Sequence, residues 1–411
     1  MSSSFTKVLI VMRAAQWVLN NLIEVIWQQV RNRLPSVVRL SYAHQMPEEP
    51  SPRVARIQRP TIYDVAAAAG VAPSTVSRAF SRPGRVNAET AERIRQVAAE
   101  MGYHTNPLAR ALPTGKTSLL AIIVADVTNP FFFELLRGAD DTASKAGYTL
   151  LVADVQESVD AERQALDRVL PMVEGIVLAT SRMSDSSIRV AAKQRPTVVL
   201  NRSMSDIASV ATDNSKGMRR AVEHLGSLGH TGITYIAGPD ASWANGIRWQ
   251  AMREACHELG LRARRIGPFS PTQAGGLSAA GELAAHPSTA VVAYNDLLAI
   301  GLMRGLQSLG VRIPEDVSVV GFDNIFGADF CTPQLTTVAA PLRRLGSVAV
   351  QTLLDDLRGQ QRIPRSSPHG PLKTALLPAR LVTRASTGPA NPLNDWPNGG
   401  RPAFTDDEDA R

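Results

Sequence analysis

The sequence predicts an α/β core of two similar lobes, preceded by a small all-α helix-turn-helix module. Three observations carry that expectation. Residues 117–360 alternate continuous Val/Ile/Leu-rich runs with amphipathic segments, the pattern of a parallel sheet covered on both faces. The runs outnumber what one compact sheet of this type holds, which suggests two lobes with a crevice at the carboxyl ends of their strands. Residues 60–105 are short, helical in pattern and basic, unlike the long segment that follows.

The chain opens on residues 1–59, an extension that ends in a linker. Val8–Met12 and Val18–Val30 are apolar, but Arg13, Asn20, Asn21 and Glu24 break them up. No run reaches the roughly 18–20 apolar residues that a membrane span needs. A signal peptide's continuous apolar core and small-residue cleavage site are not evident either. Two readings of residues 1–45 stay open: an amphipathic interaction helix, or a translation start near Met46. Residues 46–59 are proline-rich and charged, as expected of a linker.

Residues 61–80 read TIYDVAAAAGVAPSTVSRAF. Thr61 is a good N-cap, and Asp64 falls three residues later, near the positive end of the helix. Ile62, Val65, Ala66 and Ala69 form one apolar stripe. Gly70 permits the left-handed turn that ends the first helix. Pro73 suits the first position of the next helix, where its missing N–H would be unpaired anyway. Val76 and Phe80 pack on the first helix, which leaves Ser74, Thr75, Ser77 and Arg78 facing outward. Such a second helix fits a DNA major groove, and the Arg78 fork matches the acceptors of guanine. A third helix follows, capped by Asn87, with Ile94, Val97, Ala98 and Met101 on its apolar side. An ordinary Ala-rich hairpin would not require this succession of cap, turn and small polar residues.

Beyond the connector 106–116, the strand candidates are Leu119–Asp126, Tyr148–Asp154, Gly175–Ala179, Thr197–Asn201, Ile233–Gly238, Ala290–Asn295 and Val317–Asp323. Helical patterns lie between and after them, at Phe132–Ala146, Asp160–Pro171, Lys216–Leu228, Ile247–Leu259, Asp296–Leu309 and Leu345–Leu357. Residues 361–411 are rich in Pro, Ser, Gly and Asp and read as a C-terminal tail, its last part disordered.

Charge is unevenly distributed. The 411 residues carry a formal net charge of +7, but Arg53–Lys116 alone holds ten Lys or Arg against four Asp or Glu. A basic module joined to a neutral domain is the electrostatic footprint of a nucleic-acid binder. The two cysteines, Cys256 and Cys331, argue against a disulfide scaffold and fit a reducing compartment. Neither has a metal-ligand partner at close spacing, and no cofactor is implied. Gly115-Lys116-Thr117 resembles the end of a phosphate-binding loop, but Arg110 stands where that loop needs glycine. No nucleophile elbow, His-Glu-x-x-His motif or dinucleotide fingerprint occurs, and the histidines are scattered, so an enzyme is not expected.

At residue level the chain resembles the lactose-repressor (LacI/GalR) family. The matching segments are Thr61-Ile62-Tyr63-Asp64-Val65-Ala66, Gly70-Val71, Thr75-Val76-Ser77-Arg78 and Gly102-Tyr103 before Asn106-Pro107. The resemblance continues through Asp126–Phe132, Asn295-Asp296 and Ile313–Asp323 and ends near Leu357. It implies a type I periplasmic-binding-protein-like core, a homodimer or tetramer, a palindromic operator and a small-molecule effector, by default a sugar or sugar derivative. It implies a cytoplasmic, nucleoid-associated regulator, most often a repressor. The DNA contacts it implies fall at Thr61, Tyr63, Ser74, Thr75, Ser77, Arg78, Asn87, Tyr103, Asn106, Ala109 and Leu112. Residues 107–112 match the family's hinge helix, whose leucine, here Leu112, wedges into the minor groove. Pro113 follows at once and ends any such helix at or before Leu112.

The ligand contacts implied are Asp126, Asn129, Phe131, Phe132, Asn201, Trp243, Arg248, Phe269 and Asp296, with Leu342 a further position. Arg248 and Asp296 suit bidentate bonds to ligand oxygens, and the aromatic residues suit stacking on an apolar ligand face. Asn201 stands where the family often has Asp, which removes a negative charge from the crevice. A transport-associated sugar-binding protein would share the two-lobed fold, but it would need an export signal and has no use for residues 61–80.

Overall fold

The computed structural model describes residues 60–81, 84–103, 117–359 and 374–391, and the chain divides into two units, one ending at Tyr103 and one beginning at His104. Of the expected site residues, Asn106, Ala109 and Leu112 lie outside the described residues, as do residues 1–59 and the last part of 361–411.

Among the described residues the first unit holds three helices, α1 (Ile62–Ala68), α2 (Pro73–Ser81) and α3 (Ala88–Glu100). Thr61 caps α1 in a reciprocal capping box: its backbone N–H donates to Asp64 Oδ2 at 2.7 Å, and its side chain accepts from the Asp64 N–H. Gly70 adopts φ +63°, and the Val71 N–H turns back onto the Ala66 carbonyl at 3.0 Å. Val65, Val76 and Ile94, one from each helix, are fully buried and make the centre of this small core.

The second unit contains two six-stranded sheets. In the first lobe are β1 (Leu119–Val124), β2 (Thr149–Asp154), β3 (Gly175–Ala179), β4 (Thr197–Leu200) and β5 (Ala208–Thr212). With them go α4 (Phe131–Lys145), α5 (Val159–Val169) and α6 (Asp185–Gln194). The second lobe follows with α7 (Asn214–Ser227), β6 (Gly232–Ile236), α8 (Trp243–Glu258), β7 (Arg262–Ile266) and α9 (Gln273–Ala285). It continues through β8 (Ala290–Ala293), α10 (Asp296–Ser308), β9 (Ser318–Asp323), α11 (Gly327–Phe330) and β10 (Thr336–Ala339). The chain then returns to the first lobe with α12 (Leu342–Leu357) and adds β11 (Ala375–Leu377) and β12 (Arg380–Val382).

The strand orders are β11-β5-β4-β3-β1-β2 and β12-β10-β9-β8-β6-β7, so the two lobes repeat one topology. All pairings are parallel except β10 with β12. The chain crosses between the lobes three times: before α7, before α12 and between β11 and β12. The central strands β1, β3, β4, β8 and β9 are almost wholly buried, as continuous apolar runs in a doubly covered parallel sheet require.

Residues 374–391 correct the expected boundary at 360. They are not a tail: β11 pairs with β5 and β12 with β10, so the segment adds an edge strand to each sheet. Ser386 is fully buried and its hydroxyl ties β9 to β10, donating to the Val319 carbonyl at 2.6 Å and accepting from the Thr336 N–H at 2.8 Å. Strands of three residues in a Pro- and Ser-rich context carry no periodicity, so their pairing is visible only in three dimensions.

Candidate functional site

Two faces merit description, one in each unit. On the first, α2 presents Ser74, Ser77 and Arg78 to solvent, with Thr75 half-buried beside them, because Val76 and Ala79 hold the opposite side in the core. Tyr63 projects from α1 with 71% of its surface exposed, which no packing role explains. Thr61 and Asn87 are exposed caps; Asn87 Oδ1 accepts from the Glu89 N–H at 2.9 Å, at the positive end of α3. Tyr103 is half-buried against Phe80, with ring centroids 6.1 Å apart.

The second face is a cavity at the carboxyl ends of the strands, walled by both lobes. The first lobe contributes Asn129, Phe131, Phe132, Glu157, Thr180, Arg182 and Asn201. The second contributes Arg248, Pro271, Tyr294, Asn295 and Asp323. Five of the expected ligand residues therefore meet here: Asn129, Phe131, Phe132, Asn201 and Arg248.

Local structure explains their placement. Asn129 Oδ1 accepts from the Phe131 N–H at 3.0 Å at the start of α4. That start aims Phe131 and Phe132 inward, edge to face, with centroids 5.0 Å apart. Thr180 and Asn201 sit just beyond β3 and β4 in the left-handed region, at φ +62° and +58°. Thr180 Oγ1 and Asn201 Oδ1 are buried without a hydrogen-bond partner. Two unsatisfied buried oxygens on one cavity wall are the positions a ligand's hydroxyl or amine hydrogens would complete.

Arg248 is committed to the protein on all sides. Its Nε donates to Asn214 Oδ1 at 2.9 Å, one terminal nitrogen donates to the Tyr294 carbonyl, and the other lies 3.4 Å from Asp323 Oδ1. The guanidinium also stacks on the Phe322 ring, 3.6 Å from its centroid. Arg182 is equally occupied: two of its nitrogens donate to the Glu157 carboxylate at 2.6 and 3.0 Å, and the third to the Thr180 carbonyl at 3.1 Å.

The structure corrects the place given to the other expected ligand residues. Asp296 is fully buried behind the cavity at the start of α10, where Oδ2 accepts from the Ile325 N–H at 2.8 Å and Oδ1 from the Thr337 hydroxyl at 2.5 Å. It organises the loop after β9, and the carboxylate that meets Arg248 is Asp323. Burial raises both carboxyls, and the Asp323 charge raises Asp296 further. Asp126 turns onto Thr128, accepting from its N–H at 2.9 Å and its hydroxyl at 2.6 Å. Trp243 begins α8 half-buried, Phe269 is half-buried against the second lobe's core, and Leu342 is buried at the start of α12; none of these lines the cavity. Glu157, Thr180, Arg182, Pro271, Tyr294, Asn295 and Asp323 also line the cavity and were not among the expected ligand residues; Thr180, Tyr294 and Asp323 stand at or just after a strand's end, which was the available signal.

Known proteins share these features. Residues 61–106 match the model for bacterial regulatory proteins, lacI family, and residues 222–387 match that for a periplasmic binding protein-like domain. The second match runs through the segment that carries β11 and β12. The HTH-type transcriptional repressor CytR of Escherichia coli (strain K12) is 32% identical over 335 residues, covering 80% of this chain and 96% of that protein. This chain belongs to the lacI family.

Another member, the HTH-type transcriptional regulator DegA of Bacillus subtilis (strain 168), is 31% identical over 341 residues, covering 80% of this chain and 99% of its own. Among solved structures, the lac repressor dimer bound to operator and the anti-inducer ONPF superposes with a TM-score of 0.72 at 27% identity, covering 80% of this chain and all of that one. A lacI-family regulator from Enterococcus faecium with bound ribose gives a TM-score of 0.58 at 31% identity, covering 66% of this chain and all of that one. As a lacI-family member the chain is a DNA-binding transcriptional regulator, and the relatives named here are regulators, not enzymes. Among the described residues, no helix is long and apolar enough to cross a membrane, and no group of His, Cys, Asp and Glu is arranged to hold a metal.

Proposed function

We propose that this lacI-family member is a homodimeric repressor whose affinity for a palindromic operator is set by a neutral, hydroxyl-rich ligand, a sugar or sugar derivative, held between the two lobes. The observation that carries the ligand class is the charge balance of the cavity. Each cation in its wall is already matched: Arg182 with Glu157, and Arg248 with Asp323. No guanidinium is left over for a phosphate or carboxylate, whereas Thr180 Oγ1 and Asn201 Oδ1 still lack donors. Phe131 and Phe132 add an apolar wall of the kind that covers the C–H face of a sugar ring. The ribose and cellobiose bound by related regulators agree with this class.

In this reading Arg78, Ser74, Thr75 and Ser77 read base edges. Tyr63 and the caps Thr61 and Asn87 position the phosphate backbone, and Tyr103, Asn106, Ala109 and Leu112 continue the contact towards the hinge. The protein works in the cytoplasm on the nucleoid and carries out no catalytic step. Ligand shifts operator affinity by no more than its own preference for one lobe arrangement over the other.

The test is calorimetry of the full chain against ribose, other neutral monosaccharides, ribose 5-phosphate and cellobiose, paired with gel-shift titration on operators recovered by genome-wide DNA pull-down. Heat from neutral monosaccharides with a shift in operator affinity is the expected result. Binding confined to phosphorylated or acidic compounds would overturn the ligand class.

A further inference from the structure

Three exposed phenylalanines form a continuous ladder at the rim of the cleft. Phe133, in the first turn of α4, stacks on Phe326 with ring centroids 6.1 Å apart and planes inclined by only 15°. Phe326 in turn meets Phe330 edge to face at 6.0 Å and 60°. Their exposures of 43%, 57% and 78% are high for rings of this size, and no core explains them.

Their chain positions matter more than their number. Phe133 belongs to the first lobe, one residue past Phe132 of the cavity wall; Phe326 and Phe330 belong to the second, just after Asp323 of the opposite wall. The Phe133–Phe326 stack therefore bridges the lobes outside the ligand cavity, at the edge where they separate on opening. Both anchors are firm. The Ile325 N–H donates to Asp296 Oδ2, and Arg384 braces the same loop through Asn324 Oδ1 at 2.8 Å and Asp329 Oδ1 at 2.6 Å. On the other side, α4 is fixed on α12 through Arg343, which donates to Asp141 Oδ2 at 2.7 Å.

We propose that Phe133 and Phe326 form an aromatic strap that favours the closed arrangement of the two lobes. Phe133 and Phe326 stand on opposite lobes, so separating the lobes at this edge would break the stack. It therefore biases the open–closed equilibrium without touching the ligand, and so sets how much ligand is needed to move it. Phe330 supports Phe326 from the side and contributes through it. The inference rests on the reading that ligand acts by moving the lobes, but its test requires no ligand, so the two can fail separately.

The test is the interlobe distance distribution of the ligand-free full chain, measured by pulsed electron paramagnetic resonance. Spin labels go at Arg163→Cys in the first lobe and Glu282→Cys in the second, both exposed, in a Cys331→Ser background. Phe133→Ala and Phe326→Ala are each expected to raise the open-to-closed ratio about two- to tenfold, the range expected for one aromatic pair. The double variant should go no further than either single one, because the first substitution already breaks the pair. Phe133→Tyr keeps a stacking ring and should restore the original distribution. Unchanged distributions in both alanine variants, or effects that simply add, would overturn the strap. A strap that behaves as described in a chain that binds no neutral sugar would leave it standing and reject only the ligand class proposed above.

Discussion

Asn201 shows how much one side chain decides here. It sits at φ +58°, a conformation that glycine tolerates and alanine does not, and its Oδ1 is buried without a donor. Asn201→Gly therefore removes the acceptor while keeping the backbone, and neutral-ligand affinity in calorimetry should fall about two- to tenfold, the net value of one hydrogen bond. Arg78 is the corresponding residue on the face proposed to read DNA. Arg78→Ala should cost about 1–3 kcal/mol of operator binding and relax the base preference at one position, read from competition with single-base operator variants at fixed salt. His230 supplies a pH dependence. It is buried between Thr289 Oγ1 and Ser318 Oγ, each 3.0 Å away, and burial pushes it down to about 4. The unfolded chain takes up that proton below about 6.5 while the fold keeps the ring neutral, so this contribution is complete above pH 6.5 and is lost as the pH falls toward 4. About 2 kcal/mol should be missing at pH 5, measured by denaturant titration, and His230→Gln should flatten that slope.

Among the elements, α4 and α12 show why small residues recur. A Cβ at Gly346 would stand 1.9 Å from the Leu135 carbonyl oxygen, and one at Gly138 the same distance from that of Arg343. The two backbones touch through these notches, and in this way α12 is fastened to the first lobe after the chain has left the second. Gly346→Ala should destabilise the protein by about 1–3 kcal/mol in urea unfolding, the usual cost of overpacking a rigid contact. The same scale accounts for elements the periodic pattern does not disclose. β7, Arg262–Ile266, reads RARRI and lies at a sheet edge, where charged side chains discourage further pairing. α9 reads QAGGLSAAGELAA and carries three glycines, each a cost inside a helix, yet Gly276 meets the α10 backbone so closely that a Cβ there would stand 2.2 Å from the Leu298 oxygen. Close packing offsets that cost.

For the whole molecule, the uneven charge yields a further expectation. With a net +6 over residues 53–116 and a near-neutral remainder, operator affinity should fall steeply with salt while ligand affinity scarcely changes. Parallel titrations at two ionic strengths check this, and equal salt dependence of both would contradict the division of labour. The division itself was legible in the sequence, because each source of it is local: caps, a turn glycine and a 3.6-residue stripe for α1 to α3, and unbroken apolar runs for the central strands. Phe131 and Phe132 could likewise be placed near the crevice, since they begin a helix soon after a strand end, whereas Arg248, inside α8, was placed there by the family resemblance. The sequence alone does not say which carboxylate meets Arg248. Asp296 and Asp323 are 27 positions apart in similar apolar settings, and only the crossing of α10 over β9 turns one inward and leaves the other on the cavity wall. The balance of Arg182 by Glu157, the strands of residues 374–391 and the stack of Phe133 on Phe326 are of the same kind. Each joins residues distant along the chain, and such pairings follow from how sheets and helices close on one another rather than from any pattern within a window of sequence.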